Sequence, residues 1–218
     1  MESKTESQRD GARRRLTLAG RIALADGGGV TAQLIADVCE QAGIHPQSFR
    51  LLYATDDAFL DAVQERLALE CAERLRSSFG EIAGLDDAQM LQAAAVALAR
   101  SRPIDRGAVT IRAERRLRAL RSPNEAKALL AAENRQLHAL SAVVAELIGQ
   151  LHRDASWPAA LAARIIIETY ERSFEAWVFG SGDERDFHTS SYVTRTLPTL
   201  LGRMTAPIVR TSPVAAAA

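Results

Sequence analysis

The chain has 218 residues, with 27 Lys+Arg against 27 Asp+Glu, 47% hydrophobic and 25% charged. That describes a globular chain able to bury a substantial core, as one large domain or one small plus one larger. Zero formal net charge excludes a whole-molecule field drawing the protein to nucleic acid, so any DNA affinity must come from local clusters. Cys39 and Cys71 lie far apart on apolar helix faces and form no Cys-x-x-Cys pair, which fits reduced, buried thiols. No apolar run approaches the ~18 to 20 residues of a membrane span. The N-terminus has arginines but no apolar h-region, so a cytoplasmic protein without a membrane segment is expected.

Residues 1–10 are polar and read as a disordered arm. Arg9, Arg13, Arg14, Arg15 and Arg21 then crowd around a single acid, Asp10, while Leu16, Ala19, Ile22 and Ala23 supply an apolar stripe. The stripe predicts a first helix from about Gly11 to Asp26, ended by Gly27-Gly28-Gly29. The arginines suit either DNA phosphates or a solvated arm. The glycine triplet lacks the Gly-Lys-Ser/Thr and the preceding strand of a phosphate loop.

Thr31 is placed to cap a second helix carrying Leu34, Ile35, Val38 and Cys39 on one side. Gly43 ends it, since glycine accepts the left-handed conformation. Pro46 suits the first turn of a third, short helix, in which Phe49, Leu52 and Tyr53 make a buried edge at i, i+3 and i+4. Gln47, Ser48, Arg50 and Leu51 are left facing outward. Gln pairs with adenine, Arg with guanine and Ser with several base edges. Spacing alone leaves two readings open: a helix-turn-helix whose second helix enters a major groove, and a helical hairpin buried in a bundle.

Thr55 caps a long fourth helix with Asp56 and Asp57 in its first turn, and Phe59, Val63, Leu67, Cys71, Leu75 and Phe79 recur along it. After a loose stretch from Gly80 to Gly84, Asp86-Asp87 opens a helix with Met90, Ala94, Ala97 and Leu98 inward. Pro103 is read as opening the next, with Ile104, Ala108, Val109, Ile111, Ala113, Leu117 and Leu120 inward. Its outer side carries eight arginines between Arg100 and Arg121 against Asp105 and Glu114, a solvated face or a seat for an anionic partner. Ser122-Pro123 opens a long helix. Ser156 caps another that runs through Tyr170, Phe174 and Trp177 to Gly180, and a last helix holds Val193 to Met204, bent or restarted by Pro198. Thr205 to Ala218 reads as a tail.

The passage VCEQAGIHPQSFRLLYATDDAFLDAV, Val38 to Val63, resembles the helix-turn-helix of tetracycline-repressor (TetR) family transcriptional regulators. Ala42-Gly43-Ile44, Pro46, Ser48, Phe49, Tyr53 and Ala58-Phe59 agree in order and spacing. The resemblance implies an all-α fold of about nine helices. A three-helix DNA-binding domain at 11–54 precedes a ligand-binding and dimerisation domain at 55–204, with a tail at 205–218. Expected base contacts are Gln47, Ser48 and Arg50, and expected phosphate contacts Arg13, Arg14 and Thr31, with His45 and Tyr53 added at the two ends of the recognition helix. An effector pocket is expected among Met90, Ile111, Leu137, Tyr170, Phe174 and Trp177, and a homodimer seam along 157–180 and 187–204. Where family members usually carry a phosphate-contacting lysine this chain has Asp56, His45 replaces a capping serine, and Arg50 and Leu52 replace the usual aromatic or histidine residues.

No metal-ligand spacing joins His45, His138, His152 and His188 to other ligands, and there is no nucleophile elbow or dinucleotide fingerprint. The expectation is therefore a non-enzymatic regulator without a cofactor, bound to double-stranded operator DNA and to a small-molecule effector. A helical ligand-binding or protein-interaction dimer that has lost specific DNA recognition is the alternative.

Overall fold

The computed structural model describes residues 2–25, 31–82, 84–180 and 182–207. Helix α1 (Glu2–Ala25) begins well before the expected Gly11, so most of the segment expected as a disordered arm forms its first turns. The predicted glycine stop falls at 26–30, outside the described residues. Thr31 Oγ1 accepts from Leu34 N (3.2 Å) to open α2 (Ala32–Ala42). Gly43 takes φ 63°, and the N–H groups of Gly43 and Ile44 return to the carbonyls of Glu40 and Cys39, satisfying the end of α2. Pro46 starts α3 (Pro46–Leu52), and Thr55 Oγ1 caps α4 (Asp56–Ser77) through Ala58 N.

These four helices share one apolar cluster in which Leu16, Leu24, Leu34, Val38, Phe49, Phe59, Leu60 and Val63 are buried. At its centre the rings of Phe49, Tyr53 and Phe59 contact one another, with centroids 5.2 to 5.5 Å apart. α1 crosses α4 at Gly20, where a Cβ would lie 2.5 Å from Phe59 Cζ. Glycine is required there by space.

A second, larger cluster begins on α4 at Leu67. It is built from a single turn α5 (Phe79–Ile82), α6 (Asp87–Ser101), α7 (Arg106–Ala119), α8 (Pro123–Gln150), α9 (Ala159–Phe179) and α10 (Leu197–Met204). Between α9 and α10 the chain runs through a 3₁₀ turn (Glu184–Thr189) and a π turn (Tyr192–Thr196) that leads directly into α10, so the expected last helix is continuous over Val193 to Met204 but opens in π geometry. Phe187 and Tyr192 on those turns complete an aromatic cluster with Tyr170, Phe174 and Trp177. Thr205–Pro207, expected as tail, is strand β2, paired antiparallel with β1 (Arg153–Ala155). Buried Arg153 anchors this ribbon, donating to Thr205 Oγ1 (2.7 Å) and Thr205 O (3.0 Å) and pairing with Asp87.

Three further expectations are corrected. α7 starts at Arg106 under an Asp105 cap, because Arg102 at φ 52° ends α6 and the intervening residues form the turn. Ala113, Leu117 and Leu120, expected inward, are exposed, the two leucines to 50% and 85%, because they lie on the side of α7 opposite the buried Ala108, Ile111 and Arg115. Ser156 does not cap α9, which starts after Pro158 without a side-chain cap. Among the described residues, no helix is long and apolar enough to cross a membrane.

Gly20→Ala should lower unfolding free energy by about 1–3 kcal/mol, the usual cost of overpacking a close approach. Urea denaturation measures it, and wild-type stability would contradict the α1–α4 contact.

Candidate nucleic-acid interface

α3 has only seven residues and is held by one buried side chain, Phe49. Burial of that edge fixes what faces outward. Gln47, Ser48, Arg50 and Leu51 are exposed, Leu51 to 87%. His45 is exposed too, but its Nδ1 accepts from Gln47 N (3.3 Å), so the histidine caps α3 as the replaced serine would. Tyr53, expected at the DNA surface, is corrected to a core residue. It is 5% exposed, its hydroxyl is buried, and the Arg13 guanidinium lies 6.0 Å from its ring centroid. Burial raises the Tyr53 phenol above its ordinary pKa, against the opposing charge of Arg13.

The α1 arginines divide by role. Arg15 donates to Ala42 O (3.2 Å) at the end of α2, and Arg21 pairs with Glu70 and Asp105. Arg13 and Arg14 are exposed, and among the described residues no carboxylate pairs with either. Arg50 is engaged: its Nη1 lies 2.7 Å from Asp56 Oδ1, and its guanidinium covers the Phe49 ring at 5.3 Å.

Of the eight arginines around α7, Arg100, Arg106, Arg116 and Arg121 are exposed, as a solvated face requires, whereas Arg115 and Arg118 are tied to α4. Arg115 is 6% exposed and donates to Gln64 Oε1 (2.9 Å), Asp57 O (3.2 Å) and Asp61 Oδ1 (2.7 Å) on α4. Arg118 reaches Asp57 at 2.6 Å, and Arg135 of α8 reaches Asp61 at 2.6 Å. Burial alone would raise the Asp57 carboxyl, but the hydrogen bond and charge of Arg118, joined by Arg115, bring it below the ordinary value. Glu70 is likewise lowered, chiefly by Arg21, against its own desolvation. One turn before Arg115, Arg112 pairs with Glu171 of α9, and burial lowers its pKa below the usual guanidinium value.

The six expected effector residues are not brought together. Ile111 is 1% exposed within the N-terminal cluster, so it joins α7 to the helix-turn-helix rather than lining a pocket. Met90 packs partly buried on the body core. Tyr170, Phe174 and Trp177 share the aromatic cluster, where Trp177 Nε1 donates to Asp183 O (2.8 Å) and burial drives the Tyr170 phenol well up. Leu137 alone borders the cleft of about 360 Å³ between α7, α8 and α9. Its walls include Arg112, Arg116, Glu133, Arg164 and Glu171, with Leu140 and Ile167 at an apolar point. Those two leucine and isoleucine side chains also border an apolar void of about 10 Å³ beside Tyr170, too small to hold a ligand in this conformation.

No protein-family model and no curated protein matches this sequence. Solved structures do match its fold. A chain from Mesorhizobium loti assigned to the TetR family of transcriptional regulators superposes with a TM-score of 0.57 at 13% identity, covering 91% of this chain and 98% of that one. The fatty acid degradation regulator FadR of Bacillus halodurans gives 0.56 at 16% identity, with 87% and 97% covered. The FadR of Bacillus subtilis, solved with stearoyl-CoA, gives 0.54 at 17% identity, with 86% and 96% covered. The chain has the all-α fold of TetR-family transcriptional regulators.

Because the Asp57 and Glu70 carboxyls are lowered in the folded state, their stabilisation is complete above the unfolded carboxylate pKa and is lost as pH falls through the lower folded values. Unfolding free energy should therefore fall below about pH 4. Asp57→Asn should reduce that pH slope, and an unchanged slope would contradict the network. Arg115→Met should cost about 2 kcal/mol at neutral pH, discounted because its acids are one-third exposed.

Proposed function

We propose that this chain is a ligand-responsive, DNA-binding transcriptional regulator, a repressor acting as a homodimer on a palindromic operator. The observation that carries the reading is the outward row Gln47, Ser48 and Arg50, on a short helix whose other edge is locked by Phe49. Donors and acceptors of that kind read base edges in a major groove. Arg13 and Arg14, exposed on α1, and the N-terminal turn of α2 at Thr31 would supply phosphate contacts. Residues 11–54 make the DNA-reading unit and 55–204 the sensing and dimerising one.

For the second subunit, α9 leaves Leu161 and Phe179 exposed, with Trp157 just ahead of it. These apolar side chains support self-association along 157–180 and the segments that follow. Two copies would then present α3 at half-sites about 34 Å apart.

The cleft between α7, α8 and α9 is the candidate effector site. A ligand there acts on α7 at Arg112, one turn from the Arg115 contacts to Asp57 and Asp61 at the start of α4. Movement of α7 would thus change the position of α4 and of the recognition helix ahead of it, coupling two separate sites. Neighbours of the same fold include a regulator solved with stearoyl-CoA, which supports small-molecule sensing as the class of input.

The alternative is a helical dimer without specific DNA recognition, favoured by one observation: Arg50 is tied to Asp56. Selection from random duplexes separates the two readings. The regulator yields a palindromic consensus, whereas salt-sensitive binding without a consensus supports the alternative. Arg50→Ala should relax base preference at one position of each half-site, by about 1–3 kcal/mol. Arg14→Ala should weaken all duplexes alike and flatten the salt dependence. Wild-type binding by both variants would contradict the assignment.

A further inference from the structure

The first turn of α4 follows α3 after a three-residue link, and its two carboxylates point to different partners. Asp57 pairs with Arg115 and Arg118, inside the α4–α7 network. Asp56 Oδ1 instead meets Arg50 Nη1 at 2.7 Å on the outer surface, where the two side chains are 43% and 53% exposed. Of the three polar side chains that α3 presents outward, the only cation is thus held by a carboxylate from the next helix.

We propose that Asp56 is a specificity-determining residue, which keeps Arg50 from DNA phosphates and yields it to a base edge that offers two acceptors. This rests on α3 being the DNA-reading helix. The physics separates the two acceptors by charge. A phosphate that takes Arg50 must come within a few ångströms of the Asp56 carboxylate, so each anion repels the other while both compete for one guanidinium. A guanine edge is neutral, and its O6 and N7 match the guanidinium fork in a bidentate pair. An exposed ion pair is weak enough for that edge to displace.

Thr55 Oγ1 fills the Ala58 N–H at 3.1 Å and Asp57 supplies negative charge to the first turn of α4, so the helix end offers a phosphate no seat even without Asp56, and Asp56 acts through Arg50. The result is a recognition surface that weakens binding to every duplex and weakens the correct one least. Discrimination rises at the expense of affinity.

The test uses full-length wild type, Asp56→Asn, Arg50→Ala and the double variant. Binding to a random-sequence duplex and to a duplex recovered by selection is measured by fluorescence anisotropy across a salt series. Asp56→Asn should bind the random duplex about threefold tighter or more, the effect of removing one repulsion at ~6 Å in water. Its salt slope should steepen by about one phosphate contact. Its gain on the recovered duplex should be smaller, and both gains should vanish when Arg50 is alanine.

Equal affinities of wild type and Asp56→Asn, while wild type binds DNA, would overturn this inference and leave the regulator reading intact. A gain that persists in the Arg50→Ala background would also overturn it, since Asp56 would then act without Arg50. Failure of every variant to bind any duplex would overturn both together. Circular dichroism of Asp56→Asn should match wild type, because the Thr55 cap stays in place.

Discussion

A seven-residue helix does not hold its shape alone in water, because nucleation costs more than so few hydrogen bonds return. α3 exists because Phe49 is buried against Tyr53 and Phe59, a burial of the order of 1.5–3 kcal/mol per large side chain. Everything else in the N-terminal half serves that anchor. Gly20 lets α1 come against Phe59, Gly43 turns the chain into α3, and Thr55 starts α4 at the angle that brings Phe59 under Phe49. The polar residues of α3 point outward as a consequence of where the rings point inward.

α7 joins this anchor to the body. Ile111 enters the N-terminal apolar cluster, Arg115 is buried among α4 groups, and Arg112 meets Glu171 at the cleft, all within two turns of one helix. A buried guanidinium is costly to desolvate and is stable here because its donors are met by Gln64, Asp57 and Asp61. Such a contact resists gradual deformation, since losing one partner leaves a charge uncompensated. On the proposed reading, α7 therefore transmits displacement from the cleft to α4 as a unit.

Much of the fold was legible because its signals are local. Thr31, Thr55 and Asp86 cap helices where the sequence places them, and the apolar period of α4 predicts its buried side. What was not legible depends on contacts between distant positions. Arg115 reads as solvated because its acids lie 54 and 58 residues earlier, and nothing on α7 itself announces them. Phe187 and Tyr192 were missed as parts of the aromatic cluster because 3₁₀ and π turns carry no 3.6-residue period. Tyr53 carries two competing expectations in the sequence, the buried edge of α3 and the DNA surface, and the Phe49 and Phe59 rings around it decide for the buried edge. For the site, the outward row Gln47, Ser48 and Arg50 was readable, whereas the tie from Arg50 to Asp56 needed coordinates.

The central claim is that α3 is the surface a duplex touches, and amide chemical shifts during titration of the labelled protein with duplex DNA test it most directly. The account predicts that the largest changes fall on Gln47 to Leu51 and on α1 around Arg13 and Arg14, with the α9 amides little moved. Changes confined to α9 or to the cleft, with the α3 amides stationary at saturation, would contradict it.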